Sequence, residues 1–142
     1  MIAYFDSSVV VSMLLGESTR DRCHEIWDRA HRVCGTRLLH IESAAVVHRA
    51  VREGRIGEFG HRRALQLLDG LWREFQIIEL DESLMTLSAA AAGAEGLRGY
   101  DAVHCAAGLL LAAGNEAVTV SGDRKLLEAW SNNGAATIDI SA

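Results

Sequence analysis

The 142-residue chain carries 14 basic side chains, 13 Arg and one Lys, against 19 acids, for a formal charge of −5. Its length fits one domain spanning 1–142, and a chain this size covers ~68% of its unfolded surface on folding. The composition, 49% apolar and 23% charged, excludes a disordered chain. The negative balance argues against holding nucleic acid by bulk positive charge.

Short strand-like runs alternate with longer helical ones. Ile2–Phe5 reads as a first strand ending at Asp6. Ser8–Leu15 reads as a helix stopped by Gly16. Ser18 is the expected N-cap of the next helix, with Asp21 in its first turn. There Cys23, Ile26, Trp27, Ala30 and Val33 share one face. Gly35–Arg37 reads as a short strand, Leu39–Glu53 as a helix capped by Gly54, and Glu58–Phe75 as an amphipathic helix. Gln76–Leu80 is the next strand, followed by helices over Glu82–Leu97 and Tyr100–Ala113. Ala117–Ser121 is a strand, Arg124–Asn132 a helix stopped by Gly134, and Thr137–Ile140 a last strand. This alternation predicts an α/β fold with a mostly parallel five-stranded sheet and about seven helices.

Cys23, Cys34 and Cys105 are odd in number and form no CxxC pair. Neither a disulfide framework nor a zinc knuckle is expected, which favours a cytoplasmic setting. The opening Met-Ile-Ala-Tyr-Phe-Asp has no basic n-region, so no secretory leader is expected. The longest apolar runs, about nine residues, fall short of the ~20 needed to cross a membrane.

Four acids stand in apolar surroundings: Asp6, Glu42, Asp101 and Asp123. A carboxylate removed from water is normally neutralised, paired or metal-bound. Asp6 and Asp123 follow predicted parallel strands, where open α/β sheets bind ligands. Asp101 opens a helix, whose dipole favours a carboxylate. Each has an ordinary reading too. Asp6 and Asp123 suit helix caps or turns, Asp101 a dipole partner, and Glu42 an arginine pair. Together, such acids either take up protons or bind a cation. An all-oxygen set suits Mg²⁺ or Mn²⁺, the equipment of metal-assisted phosphodiester hydrolysis.

The segments Tyr4-Phe5-Asp6-Ser7-Ser8, Glu42 in its Ala/Val-rich helix, Tyr100-Asp101-Ala102-Val103-His104 and Val118-Thr119-Val120-Ser121-Gly122-Asp123 resemble the PIN-domain family. Within it they are most similar to VapC toxins of type II toxin–antitoxin systems. The resemblance implies a single PIN-like domain and a metal-dependent endoribonuclease. Its acids match Asp6, Glu42, Asp101 and Asp123, which would be the catalytic and metal-binding residues. Ser7 or Ser8 fits the polar position after the first acid, and Ser121 the hydroxyl before the fourth. It further implies Mg²⁺ or Mn²⁺ as cofactor, RNA as substrate, a VapB-type antitoxin as partner and a homodimer; the short apolar runs already argue for no membrane association. Two alternatives are a catalytically silent PIN-like binding module and a phosphatase of the haloacid dehalogenase kind. The intact acid set argues against the first. The second normally needs an Asp two residues after the strand-end acid, where Ser8 stands.

Other residues read more plainly. His40-Ile41-Glu42 mimics a zinc-deaminase motif but lacks the PCxxC that should follow. His104 reads as a packed histidine, and Trp27, Trp72 and Trp130 as core or dimer contacts. The segment from Arg20 to Arg63 holds ten arginines against six acids. It is either a solvated helical surface or a grip on RNA phosphates, with Arg62 and Arg63 as the candidate contacts.

Overall fold

A computed structural model describes residues 1–142. The elements are β1 (Ile2–Phe5), α1 (Ser7–Leu15), α2 (Arg20–Arg29), β2 (Arg32–Thr36), α3 (Arg37–Arg52) and α4 (Glu58–Glu74), followed by β3 (Phe75–Ile78), α5 (Glu82–Glu95), α6 (Gly99–Gly114), β4 (Ala117–Ser121), α7 (Arg124–Asn132) and β5 (Ala136–Asp139). The five strands form one sheet in the order β3-β2-β1-β4-β5, every neighbouring pair parallel. No helix is long and apolar enough to cross a membrane.

Side chains on β1 alternate between the two sheet faces, as a strand requires. Ala3 and Phe5 enter one core with Val9, Val10 and Met13 of α1 and Leu68 of α4. Tyr4 enters the other with Ala102 and Cys105 of α6 and Leu126 and Trp130 of α7. Each face is thus sealed by helices, as a parallel sheet needs. At Gly108, a Cβ would lie 2.5 Å from Trp130 Nε1. The bare glycine lets the indole lie against α6, with Nε1 donating to the Cys105 carbonyl at 3.2 Å.

Two strand edges differ from the periodicity reading. Val33, expected on the α2 face, lies in β2 opposite Ala3. Phe75, expected to finish α4, opens β3 opposite Val33. Both remain buried, so their hydrophobicity continues the helical pattern while the backbone has already turned extended. Helix α2 begins after Thr19, not Ser18. Thr19 makes no side-chain cap because its hydroxyl bonds Ser12 at 2.6 Å. Helix α1 ends at Gly16, whose φ of +65° turns the chain so that the Glu17 N–H also reaches the Ser12 carbonyl, at 3.3 Å.

The chain starts at β1, builds β2 and β3 on one side, then returns to add β4 and β5 on the other. The direction of strand addition reverses between β1 and β4. In open α/β sheets a crevice forms there, beyond the carboxyl ends of the strands.

Candidate active site

Asp6 occupies that switch point. It follows β1 and caps α1, and only 5% of the residue is exposed. Its Oδ1 accepts the Ser8 amide at 3.1 Å and the Ser8 hydroxyl at 2.5 Å. Its Oδ2 accepts the Ser121 hydroxyl at 2.7 Å. Each serine also accepts an amide: Ser8 from Gly122 and Ser121 from Asp123, both at 2.8 Å. Each hydroxyl has one proton to give, and both give it to Asp6. The β4–α7 loop is thereby stitched to the start of α1 through a single carboxylate.

The hydroxyl partner is Ser8, not Ser7. An N-cap carboxylate accepts from the second or third helical residue, and Ser8 is second while Ser7 is first. Asp123 plays the cap role again, accepting the Leu126 amide at 3.1 Å for α7. Asp101 lies in the first turn of α6. Glu42, on α3, pairs with His104 instead of an arginine: His104 Nε2 is 2.7 Å from its Oε1. His104 is buried, and its Nδ1 lies 2.7 Å from the Tyr4 hydroxyl. Tyr4 is wholly buried and meets Trp130 edge-on.

The electrostatics show these groups sharing one locality. Burial raises the pKa of Asp6; His104, Ser8 and Ser121 oppose the rise and Asp123 adds to it. Burial and the charge of Asp123 raise Asp101, with Glu42 adding and His104 and Arg98 opposing. Burial by itself would lower the pKa of His104. The Glu42 hydrogen bond and charge, with Asp6 and Asp101, outweigh it and raise the value. Asp101 receives no hydrogen bond from the protein that would relieve its charge.

An all-oxygen set with surplus negative charge fits a hard divalent cation chemically. As the side chains stand, no three His, Cys, Asp or Glu groups are arranged to hold an ion. Asp6 spends lone pairs on two serines, and Glu42 spends one oxygen on His104.

The arginines separate into two groups. Arg62 pairs with Glu58 at 3.3 Å, and Arg63 lies over the Phe59 ring. Arg63 lines a groove with Leu14, Leu15 and Gly16 at the C-terminal end of α1. Asp6 caps the opposite end, ~13 Å away along a helix of nine residues. The arginines next to the acids are Arg98, which precedes α6, and Arg124, which opens α7, pairs with Glu128 at 3.3 Å and has a side chain 93% exposed. Trp130 is fully buried, while Trp27 and Trp72 pack against the α1–α4 core.

Sequence reasoning missed the Glu42–His104–Tyr4 chain. The i, i+3 spacing of Asp101 and His104 on α6 was its one visible trace.

Known proteins share this architecture. Ribonuclease VapC45 of Mycobacterium tuberculosis (strain CDC 1551 / Oshkosh) is 29% identical over 126 residues, covering 88% of this chain and 86% of that protein. FitAcB from Neisseria gonorrhoeae superposes with a TM-score of 0.70 at 16% identity, covering 99% of each chain. A toxin–antitoxin complex from Klebsiella pneumoniae gives 0.59 at 18% identity, covering 85% of this chain and 88% of that one. The family model described as PIN domain matches residues 3–129, and the chain belongs to the PIN domain family.

Proposed function

We propose that this protein is a VapC-type endoribonuclease toxin that hydrolyses RNA phosphodiesters with Mg²⁺ or Mn²⁺ held by Asp6, Glu42, Asp101 and Asp123. One observation carries this reading. A buried carboxylate, Asp6, sits at the β1/β4 switch point, tied through the Ser121 hydroxyl to the Asp123 amide. The resemblance to ribonuclease VapC45 supports RNA as the substrate.

When bound, the divalent ion supplies Lewis acidity toward water and phosphate oxygens. The chain's own groups do the rest. Ser8 and Ser121 hold Asp6 in one orientation by donating to both of its oxygens. Asp101, with no protein donor, keeps both oxygens free for ligation. Asp123 spends one oxygen on the α7 cap and retains the other. Arg98 and Arg124 flank the acids and are the side chains we assign to the RNA phosphates, in place of the more distant Arg63.

Two protein partners belong to this reading. The toxin–antitoxin complex among the structural relatives supports a VapB-type antitoxin that masks the site. A second copy of the chain would cover the apolar face of α5 and α6, where Leu87, Ala90, Leu109 and Leu110 line a groove of about 400 Å³. Leu87 and Leu110 are 45% and 51% exposed there.

The test is cleavage of RNA by the purified protein in Mg²⁺ or Mn²⁺. EDTA, Asp6→Asn and Asp101→Asn should each abolish it. Cleavage that persists in EDTA, or full activity in both variants, overturns the proposal.

A further inference from the structure

Glu42 differs from the other three acids. It lies beyond the first turn of α3, so no helix start fixes it, and its long side chain could take many rotamers. What restrains it is a pair of buried polar groups drawn from two other elements. Tyr4 of β1 meets His104 Nδ1 at 2.7 Å, and His104 Nε2 of α6 meets Glu42 Oε1 at 2.7 Å. Tyr4 and His104 are no more than 1% exposed.

An ionised Glu42, the form a cation would bind, can only accept, which fixes the direction of the last bond. If the Tyr4 hydroxyl donates to Nδ1, the imidazole carries its own proton on Nε2 and gives it to Glu42. If Nδ1 is also protonated, Tyr4 accepts there and can turn its proton toward Thr36, whose buried hydroxyl has no other partner. Both arrangements end in an Nε2–H directed at Glu42. Both also engage the two ring nitrogens, so the imidazole offers no lone pair to a cation. Only one oxygen of Glu42 is consumed.

We propose that His104, backed by Tyr4, is the positioning residue that fixes the Glu42 carboxylate on its side of the site: it takes one oxygen and leaves the other available to a cation. This assignment rests on the reading of the acids as a divalent-cation site. Hydrogen-bonding partners of ligating carboxylates typically carry ~10–100-fold in metal affinity.

The experiment is an EPR titration of Mn²⁺ binding to the full chain, with circular dichroism melts as the check on folding. Asn in place of His can reach the Nδ1 position but not Nε2; Gln reaches Nε2 and keeps its N–H. His104→Asn should weaken Mn²⁺ binding by ~10–100-fold, and His104→Gln should recover most of that loss. In a Glu42→Gln background, His104→Asn should cost nothing further. Tyr4→Phe removes one oxygen and should give a smaller loss, which keeps the assignment testable if a His104 variant fails to fold. Wild-type affinity in every folded variant overturns the assignment alone, as does a His104→Asn loss that persists in the Glu42→Gln background. A wild-type protein that binds no Mn²⁺ overturns both the reading of the site and the assignment.

Discussion

Ser121 donates to Asp6 Oδ2 at 2.7 Å while accepting the Asp123 amide at 2.8 Å, so one hydroxyl ties two candidate ligands across the β1/β4 junction. Removing it leaves a buried carboxylate one donor short and the Asp123 amide without its acceptor. A buried group stripped of its partner costs ~1–3 kcal/mol. We expect Ser121→Ala to lower unfolding stability by that amount in urea at neutral pH. Ser7→Ala, which touches neither group, should stay within ~0.5 kcal/mol of wild type.

Asp101 yields a stability prediction with a definite pH sign. Burial and Asp123 raise its pKa in the folded chain above the ordinary 3.8. As pH climbs past 3.8 the unfolded chain ionises first. Stability therefore falls through that window and stays reduced once folded Asp101 has ionised. Asn carries no such penalty. Asp101→Asn should raise Tm by ~1–3 °C at pH 7, an advantage that vanishes below pH 3.8. Millimolar Mg²⁺ should stabilise the wild type through binding to the folded state and leave the variant's Tm unmoved.

How far the site could be read from sequence depended on how local each signal was. Asp6 and Asp123 each end an apolar strand run, and the segments Ala117–Ser121 and Arg124–Asn132 were readable to the residue. The choice of Ser8 over Ser7 needed cap geometry. The partner of Glu42 lies 62 residues away. That contact follows from the sheet order placing α6 against the Tyr4 face of β1, which side-chain periodicity does not encode. Val33 and Phe75 were misassigned for a related reason, since burial continues past a helix end and strand pairing decides where the helix stops. The density of arginine between residues 20 and 63 was visible too. Which end of α1 Arg63 would meet was not.

That last distinction can be measured. RNA binding that neutralises phosphates weakens with salt by ~0.7 in log–log slope per contact on a single strand. In the Asp6→Asn background, which prevents cleavage, Arg98→Ala with Arg124→Ala should flatten the slope by about 1.4. Arg62→Ala with Arg63→Ala should leave it unchanged, because Arg63 lies beside the far end of α1. A flattened slope in the Arg62/Arg63 pair alone would move the RNA path to the α1–α4 groove.

Gly108 gives a test of the scaffold behind the acids. In the middle of a helix, alanine is ordinarily better than glycine by ~0.5–1 kcal/mol. Here a Cβ would meet Trp130 Nε1 at 2.5 Å and Thr119 Cγ2 at 3.0 Å, and Trp130 is fully buried with its N–H already committed to Cys105. Overpacking of this kind costs ~1–3 kcal/mol, enough to reverse the propensity gain. We expect Gly108→Ala to lower stability in chemical denaturation, and a stabilised variant would show that the indole can move aside.

The α5–α6 face is where the expected homodimer meets its simplest test. A monomer would leave Leu87 and Leu110 in water beside an alanine-lined groove, and contiguous apolar surface of that kind marks an interaction site. Glu at position 110 would put an unpaired carboxylate at the centre of a dry interface, where a buried unpaired charge is strongly unfavourable. The same side chain costs little in the monomer, because Leu110 is half exposed. Leu110→Glu should therefore convert the dimer to monomer in sedimentation equilibrium while the circular dichroism melt shifts by no more than a few degrees. A dimer of undiminished affinity in both Leu110→Glu and Leu87→Glu would assign the second copy to another face.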